Sequence, residues 1–474
     1  MVKAYQPKVE VTLVKVVQRD RNRTQAATGP DSIIDLTPYL SEGSVVQHSR
    51  GINKPAGVFS IDFPDKPLPQ SGDTLYSMIE PMDIIEIRMA REPHKYNRIP
   101  VVFRGFVDFI KRRETINHDG KPQRRIVVSG LDWGGIMQSI LIFYKKDYAL
   151  GKIIMDSFPM FSAYGVKFEY LKPADFVSEI VNKIVNPWLK ELRQKAHLQQ
   201  ELLLNVKASV AQGRVGLYGM QAHEGSIWNL MTRWTDLPWN ELIFDDDDDG
   251  AHLLYRARPY HDVTTRDLIM VDAVEPGRVK LQSDAVVSLN SERNTRGLFN
   301  YFHVETPQDY MNDAQLINVQ SMQNGTAFKV DVPNIDPIIY GIRKTSETSM
   351  MTSVDNTNSV ADKTSDIKEV YKDRHHTWLE KRRDDLINMR RDNAALESGT
   401  MTLRGDENIK PGVYIDIERG ALEAEYYAQN VTQVYEVYGS YTTEVEFIRG
   451  TGFINRLETP NYLNEYSAGV YAQR

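Results

Sequence analysis

Two segments far apart in the chain carry one pattern. PMDIIEI (Pro81–Ile87) and PGVYIDI (Pro411–Ile417) share a proline and an Ile-acid-Ile triplet at the same offsets. Each precedes a second alternating segment, FRGFVDFIKRRE around Val107 and YAQNVTQVYEVYG around Val431. Each then precedes a third that closes on glycine, IVVSG at Gly130 and VEFIRG at Gly450. Alternation of apolar and polar side chains marks a half-buried strand. One such triplet arises easily by chance, but three elements agreeing in order and spacing point to a duplicated β module. The geometry has a use. Three chains in a ring would present six modules, a pseudo-sixfold surface built by a threefold oligomer.

The rest of the chain is organised around these two regions. Val9, Val11, Leu13 and Val16 open a strand, and Gly57–Phe63 and Asp83–Arg91 alternate likewise. Val101–Ile116 and Gln123–Leu131 flank NHDGKP, whose Asp119-Gly120 pair suits a tight hairpin turn. Asp132 is a candidate N-cap for a short apolar helix. The middle is more helical. From Asp175, Phe176, Ile180, Ile184, Trp188 and Leu192 recur every four residues, with a break or kink expected at Pro187. Glu224–Leu237 reads as another helix, and Val279–Asn294 returns to strand. Pro307 to Lys363 is polar and reads as a long loop or insertion. Ser365 to Leu396 is a charged helix with a thin apolar stripe, a pattern that predicts a helix lying on a surface.

At 474 residues the chain exceeds one compact core. Hydrophobic residues at 41% and charged residues at 26% suit a globular protein. The net charge of −7 disfavours whole-surface binding to nucleic acid or to anionic membrane. There are no cysteines, which excludes disulfides and thiolate chemistry. The N-terminus lacks the apolar core of a secretory signal, and no run reaches the roughly 18 apolar residues of a membrane span. These features predict a chain made and folded in a cytoplasm, with no membrane partner.

Candidate chemistry fails residue by residue. NELIFDDDDDGAHLLYRARPY (Asn240–Tyr260) holds Asp245, Asp247, Asp249 and Gly250 at the first, third, fifth and sixth positions of a calcium loop. The twelfth position, which needs a bidentate glutamate, is Arg256, and the flanks read as strands rather than helices. A hairpin with a solvated acidic tip, between strands ending at Phe244 and beginning at Ala251, fits better. Five like charges should stay in water or meet a basic partner. His223 opens a zinc-protease-like HEGSI, but its second histidine position is Ile227. His375 and His376 diverge by about 100° on a helix, so they read as a surface pair. Gly120 in GKP lacks the rest of a phosphate loop. The basic runs Lys111–Glu114 and Gln123–Arg125 read as a polar strand face or a contact with an acidic subunit. No catalytic, cofactor or metal residues are assigned, and no enzyme activity is expected.

Three ordered motifs, taken together, resemble the baseplate hub proteins of contractile phage tails. That group includes the T-even hub, late-control D-type tail proteins and the hub part of type VI secretion spike proteins. The motifs are Phe103–Met137, with its strand, turn and strand before a G-x-D ending; Trp239–Tyr260, with its acid-Gly turn; and Ser398–Gly450, with its "pG" turn, Tyr-rich strand and Arg-Gly close. The resemblance implies an α+β, mainly β fold of two tail-tube-like antiparallel β-barrel modules and a mixed α/β middle region. The expected division is residues 1–145 for the first module, 146–306 for the middle and 307–396 for the polar insertion and charged helix. Residues 397–455 form the second module, with strands from 279–305, and 456–474 form a tail. It further implies a homotrimer that joins a sixfold tail tube, or a tube-initiator protein, to a threefold central spike. Other baseplate proteins would surround it, and DNA would pass transiently through its lumen. The implied location is the virion tail baseplate, assembled in the host cytoplasm. A tail-associated peptidoglycan hydrolase and a tailocin or type VI-like hub are the alternatives. Residues 307–396 exceed a minimal hub, and no spike follows the second module.

Overall fold

The computed structural model describes residues 6–20, 23–26, 33–67, 74–116, 120, 122–142, 170–198, 201–216, 225–305, 328–329, 332–353, 365–420 and 422–458. The protein is mainly β, and its two ends build one large sheet.

The first half of that sheet comes from β1 (Lys8–Val14), β2 (Val45–Gly51), β3 (Val58–Pro64), β4 (Ile84–Ala90), β5 (Val101–Ile116) and β6 (Pro122–Leu131). Their order is β2-β3-β6-β5-β4-β1, antiparallel throughout. A short strand, Ile33–Asp35, adds to the outer edge of β1. Inward positions of the alternating strands, among them Val11, Leu13, Phe59, Ile61, Ile85, Ile87 and Phe103, fill one apolar core. Asp132 accepts from the Gly134 amide at 3.0 Å and caps helix α1 (Trp133–Ser139) as expected.

After a hairpin of β7 (Asn240–Asp247) and β8 (Gly250–Ala257), the second half follows. It comprises β9 (Arg278–Gln282), β10 (Val286–Glu292), β11 (Glu397–Arg404), β12 (Tyr414–Arg419), β13 (Leu422–Glu436) and β14 (Tyr441–Gly450). Their order, β10-β11-β14-β13-β12-β9, repeats that of the first half position by position. One difference breaks the match: β9 runs parallel to β12, whereas β1 runs antiparallel to β4.

The backbone aligns the two copies residue by residue. Met82 donates to the Val107 carbonyl and Val107 donates to Asp83, each at 2.8 Å. Gly412 donates to Ala428 at 2.8 Å and Ala428 donates to Val413 at 3.0 Å. Met82 and Gly412 share a positive φ, 74° and 80°. Directly afterwards each long strand carries a β-bulge, at Asp108 and at Gln429. Pro81–Ile87 therefore aligns with Pro411–Ile417, as their sequences indicate. Val107 instead aligns with Ala428, and Gly130 with Phe447, so the sequence match of the second and third strands is out by three residues. Both copies carry the bulge at the equivalent place, so the slip lies in the side chains: Val431 and Gly450 repeat the residue types of Val107 and Gly130 three positions further along.

The two halves join through one seam. Asn430–Glu436 of β13 runs past β12 and pairs with β2, from Asn430 opposite Gly51 to Glu436 opposite Val45. Each half curls, so that both of its edges share one core. Val46 of β2 belongs to the same core as Val9 and Leu13 of β1, while Leu289 of β10 packs against the core that holds Leu281 of β9. The two second-half edges are separated in sequence by only the turn Ser283–Ala285. No hydrogen-bonded closure of either half into a separate barrel occurs among the described residues.

The middle region holds the largest core. Pro173–Ile180 and Asn186–Lys195 are helical, joined by a π turn at Val181–Val185. Pro187 follows it by two residues and the helix runs on through the proline, so the expected break or kink is met by a widened turn. The charged helix, α2, spans Ser365–Arg390 and is not a surface helix. Trp378, Leu379, Leu386 and Met389 are buried, and so is Arg382, 3.1 Å from Asp236 and 4.3 Å above the Trp378 ring. Paired charge widens a thin stripe into a buried face. The polar stretch after Pro307 contributes strand Lys344–Thr348 beside Tyr301–Glu305, and Met351–Thr352 beside Arg214–Gly216. Residues 306–327, 330–331 and 354–364 of that stretch lie outside the described residues.

Candidate functional site

The aspartate hairpin lies where the two halves meet. Its register runs from Asn240 opposite Ala257 to Asp247 opposite Gly250, so both strands extend beyond Phe244 and Ala251 into the acidic run. The connection is Asp248–Asp249 alone. The Asp247 carboxylate accepts from the amides of Asp249 (2.9 Å) and Gly250 (3.1 Å), an Asx-type turn that fixes the tip. Leu242, Ile243, Phe244, Leu253 and Tyr255 anchor the strands in the central core.

Basic groups from both halves converge on the acidic run. Asp245 faces Lys410 at 2.8 Å. Asp246 is fully buried, receives the Arg50 guanidinium, and accepts from the Arg104 amide at 2.7 Å. Arg104 also donates to the Asp247 carbonyl at 2.7 Å, and Asp247 meets His252 at 2.8 Å. Asp248, at the exposed tip, pairs with Arg88 at 2.8 Å. Asp249 is exposed to solvent. Of the two expected outcomes, water or a basic partner, the run largely takes the second and finds its partners inside the same chain, while the Asp248 and Asp249 side chains remain exposed.

A second buried network ties the base of the hairpin to the other half. Arg256 donates to Glu241 at 2.7 Å and to the Gly412 carbonyl at 2.6 Å. The Tyr427 hydroxyl donates to both Glu241 oxygens, at 2.7 and 2.9 Å. Burial, reinforced by Glu241, pushes the Tyr427 pKa far up, so the hydroxyl remains a donor. A β-carbon on Gly412 would stand 2.5 Å from Arg256 Nη2 and 2.6 Å from Ile243 Cδ1, and its φ is positive. A side chain there would be strained by the φ and would have to displace the Arg256 and Ile243 tips, which the buried network holds in place.

Arg50 is the hinge-pin of the junction. It reaches Asp246, donates from Nε to Asp132 at 3.1 Å, and lies 4.4 Å above the Phe103 ring. Burial opposes its charge, yet the two carboxylates hold it protonated. Burial pushes Asp132 up to about 6, with Arg50 acting against the rise and Asp246 adding to it. His48, on the same strand, is pushed down to about 3 by burial and by the positive Arg50 and Lys410. At Asp247 burial acts upward, but the His252 contact and nearby cations hold the carboxyl below its ordinary range. The arrangement has the chemistry of a clamp. Charge-assisted bonds of fixed geometry set the position of one half against the other.

The remaining sequence candidates scatter. His375 is buried and contacts the Thr352 hydroxyl at 3.1 Å, while His376 faces Glu380 at 3.7 Å. The expected surface pair is therefore corrected: the α2 face carrying His375 packs inward. Ile227 is a buried residue at the start of helix Ile227–Trp234, and His223 lies outside the described residues. Gly120 takes a positive φ of 72° in the β5–β6 turn, as an ordinary turn glycine. Sequence reading missed Arg50, Arg88, Arg104 and Lys410 as partners of the acidic run. A signal existed in IIEIRMA and VVFRGFV, where arginine interrupts otherwise apolar strands.

No protein-family model matches the chain, and no curated protein matches it in sequence. Among solved structures it is similar to a tail protein from Neisseria meningitidis MC58, at 10% identity and a TM-score of 0.48, covering 94% of this chain and 98% of that one. It is also similar to the 43 kDa tail protein of prophage MuSo2 from Shewanella oneidensis, at 12% identity and a TM-score of 0.43, covering 93% and 97%. A third is a type VI secretion component from E. coli, itself structurally similar to T4 bacteriophage tail proteins, at 11% identity and a TM-score of 0.38, covering 86% and 75%. These three structures are described as a tail protein, a prophage tail protein and a type VI secretion component.

Proposed function

We propose that the chain is a structural baseplate hub. Three copies form a ring whose six β modules dock a sixfold tail tube or a tube-initiator protein, and whose other end holds a threefold central spike. Other baseplate proteins surround the ring in the virion tail, after assembly in the host cytoplasm. The genome crosses its lumen, and the acidic balance of −7 suits a wall that repels DNA rather than holding it.

One observation carries this reading: the same six-strand order occurs twice in one chain, joined by a strand-to-strand seam. Two like modules per chain convert a threefold ring into a sixfold docking surface. The three ordered sequence motifs point the same way. A non-enzymatic role goes with this reading, and the pairing of the clustered charges across the junction supports a structural use for them.

Light scattering on the purified protein, with and without the spike, tests the proposal. A trimer in either condition is expected, and monomers in both overturn it. A zymogram on cell-wall substrate should show no clearing, and clearing would establish the hydrolase alternative.

A further inference from the structure

The seam within the chain predicts a seam between chains. In the second half, Asn430–Glu436 of β13 extends beyond β12 and pairs with β2 of the first half. The structural equivalent in the first half is Phe109–Thr115 of β5, which extends beyond β4 in the same way, after the equivalent bulge. The equivalent of β2 is β10. These two equivalents do not meet each other. Among the described residues, Phe109–Ile116 pairs only with β6, and β10 pairs only with β11. Both are exposed where their counterparts, apart from Gln47 and Glu436, are buried or half-buried: Phe109 is 51% exposed, Ile116 77% and Val287 64%.

Each is half of an interface whose other half the chain carries elsewhere. An open strand edge presents a row of unpaired N–H and C=O groups and is a template for another strand. We infer that Phe109–Thr115 of one copy pairs antiparallel with β10 of a second copy, repeating between chains the contact that β13 and β2 make within one. This inference rests on the hub reading, and it names the surface through which the hub ring would close. The contact is head-to-tail, so it closes into a ring or runs on as a filament.

The internal seam also fixes the register. Phe109 and Asn430 both follow the bulge, opposite Ser129 and Glu446. His48 connects through Phe59 to Gly130, and Ser291 connects through Gly399 to Phe447. Gly130 and Phe447 are equivalent, so His48 corresponds to Ser291. Thr432 opposite Ser49 then becomes Lys111 opposite Glu292, and Val434 opposite Gln47 becomes Arg113 opposite Asn290. The basic run Lys111–Arg113 thereby meets a strand with an acidic end, and Lys111 faces an opposite charge directly. Cross-strand pairs of opposite charge are favourable and like charges are not.

The absence of native cysteine makes a clean test possible. Lys111→Cys and Glu292→Cys proteins are prepared separately, mixed under mild oxidation, and compared with each protein alone. The substituted positions are exposed, so folding should be retained. A covalent dimer is expected in the mixture, at least tenfold above either single protein. Arg113→Cys mixed with Glu292→Cys, two residues out of register, should link far less. The double variant should close into a covalent ring. Light scattering on the reduced samples separates the two levels of the proposal. A trimer whose cysteines stay free, or link equally well out of register, overturns this pairing and leaves the hub standing. Protein that is monomeric with and without the spike, and does not link, overturns the hub and the pairing with it. Linked chains of another stoichiometry support the pairing and overturn the threefold ring.

Discussion

The two halves of the sheet share strand order, turn and bulge, yet they meet different surroundings. At the shared turn the first half carries Met82 and the second carries Gly412, both at positive φ. A side chain is tolerated at Met82, which is partly exposed, and excluded at Gly412 because Arg256 and Ile243 fill the space. The first half supplies Arg50, Arg88 and Arg104 to the aspartate hairpin, while the second supplies Lys410, the Gly412 carbonyl and Tyr427. One strand of the seam pair is covered in β2 and open in β10. Duplication therefore preserved a backbone plan, and the junction between the copies decided which side chains each position could hold.

The largest test of that asymmetry is Asp246→Ala. It leaves the Arg50 charge buried without its main partner and should cost roughly 3–5 kcal/mol in urea unfolding. A loss under 1 kcal/mol would mean that the clamp does not hold the halves. Gly412→Ala and Met82→Gly compare the equivalent turns directly. The first combines strain at positive φ with a clash and should cost roughly 2–3 kcal/mol, whereas the second should stay within about 1 kcal/mol. Equal effects would remove the distinction between the two turns.

His48 allows the seam strand to be read by pH. Its folded pKa is about 3, below the ordinary 6.5, so stability from its neutral form is complete above 6.5 and is lost as pH falls. Between those values the unfolded chain binds the proton and the folded chain does not. His48→Leu should therefore gain roughly 2 kcal/mol on the wild type when both are compared at pH 5 rather than pH 8. Both ring nitrogens lack a hydrogen-bond partner, so the substitution breaks no polar contact. Asp132, raised to about 6, has the opposite slope, but it is present in both proteins and cancels from the difference. The smallest effect belongs to Asp249→Ala at the exposed tip, within about 0.5 kcal/mol on the same urea series. A large loss there would place the tip, rather than the buried Asp246, at the centre of the clamp.

Much of the β architecture was legible because alternation reports burial locally. Val9–Leu13, Gly57–Phe63 and Ile85–Ile87 each announce an inward face, and Pro81–Ile87 aligns with Pro411–Ile417 without adjustment. The three-residue slip at Val107 and Gly130 arose because Val431 and Gly450 repeat their residue types without occupying the equivalent backbone positions, which only the shared turn and bulge fix. The α2 helix misled because hydrophobicity alone cannot show that Arg382 will find Asp236. The aspartate run left two outcomes open, water or a basic partner, because the choice depends on cations drawn from β2, β4, β5 and the turn before β12, all remote in sequence.

The sequence by itself determined the strand-rich ends, the repeated turn motif, the absence of thiol chemistry and the exclusion of a complete calcium loop at Arg256. Those features follow from local side-chain period, residue type and spacing. Only the tertiary structure decided that Asp245 to Asp248 would join two modules, that Gly412 has no room for a side chain unless Arg256 and Ile243 move, and which strand edges stay open among the described residues. Each of these depends on which distant backbone or charge arrives alongside, and a buried charge is stable only once that partner is in place.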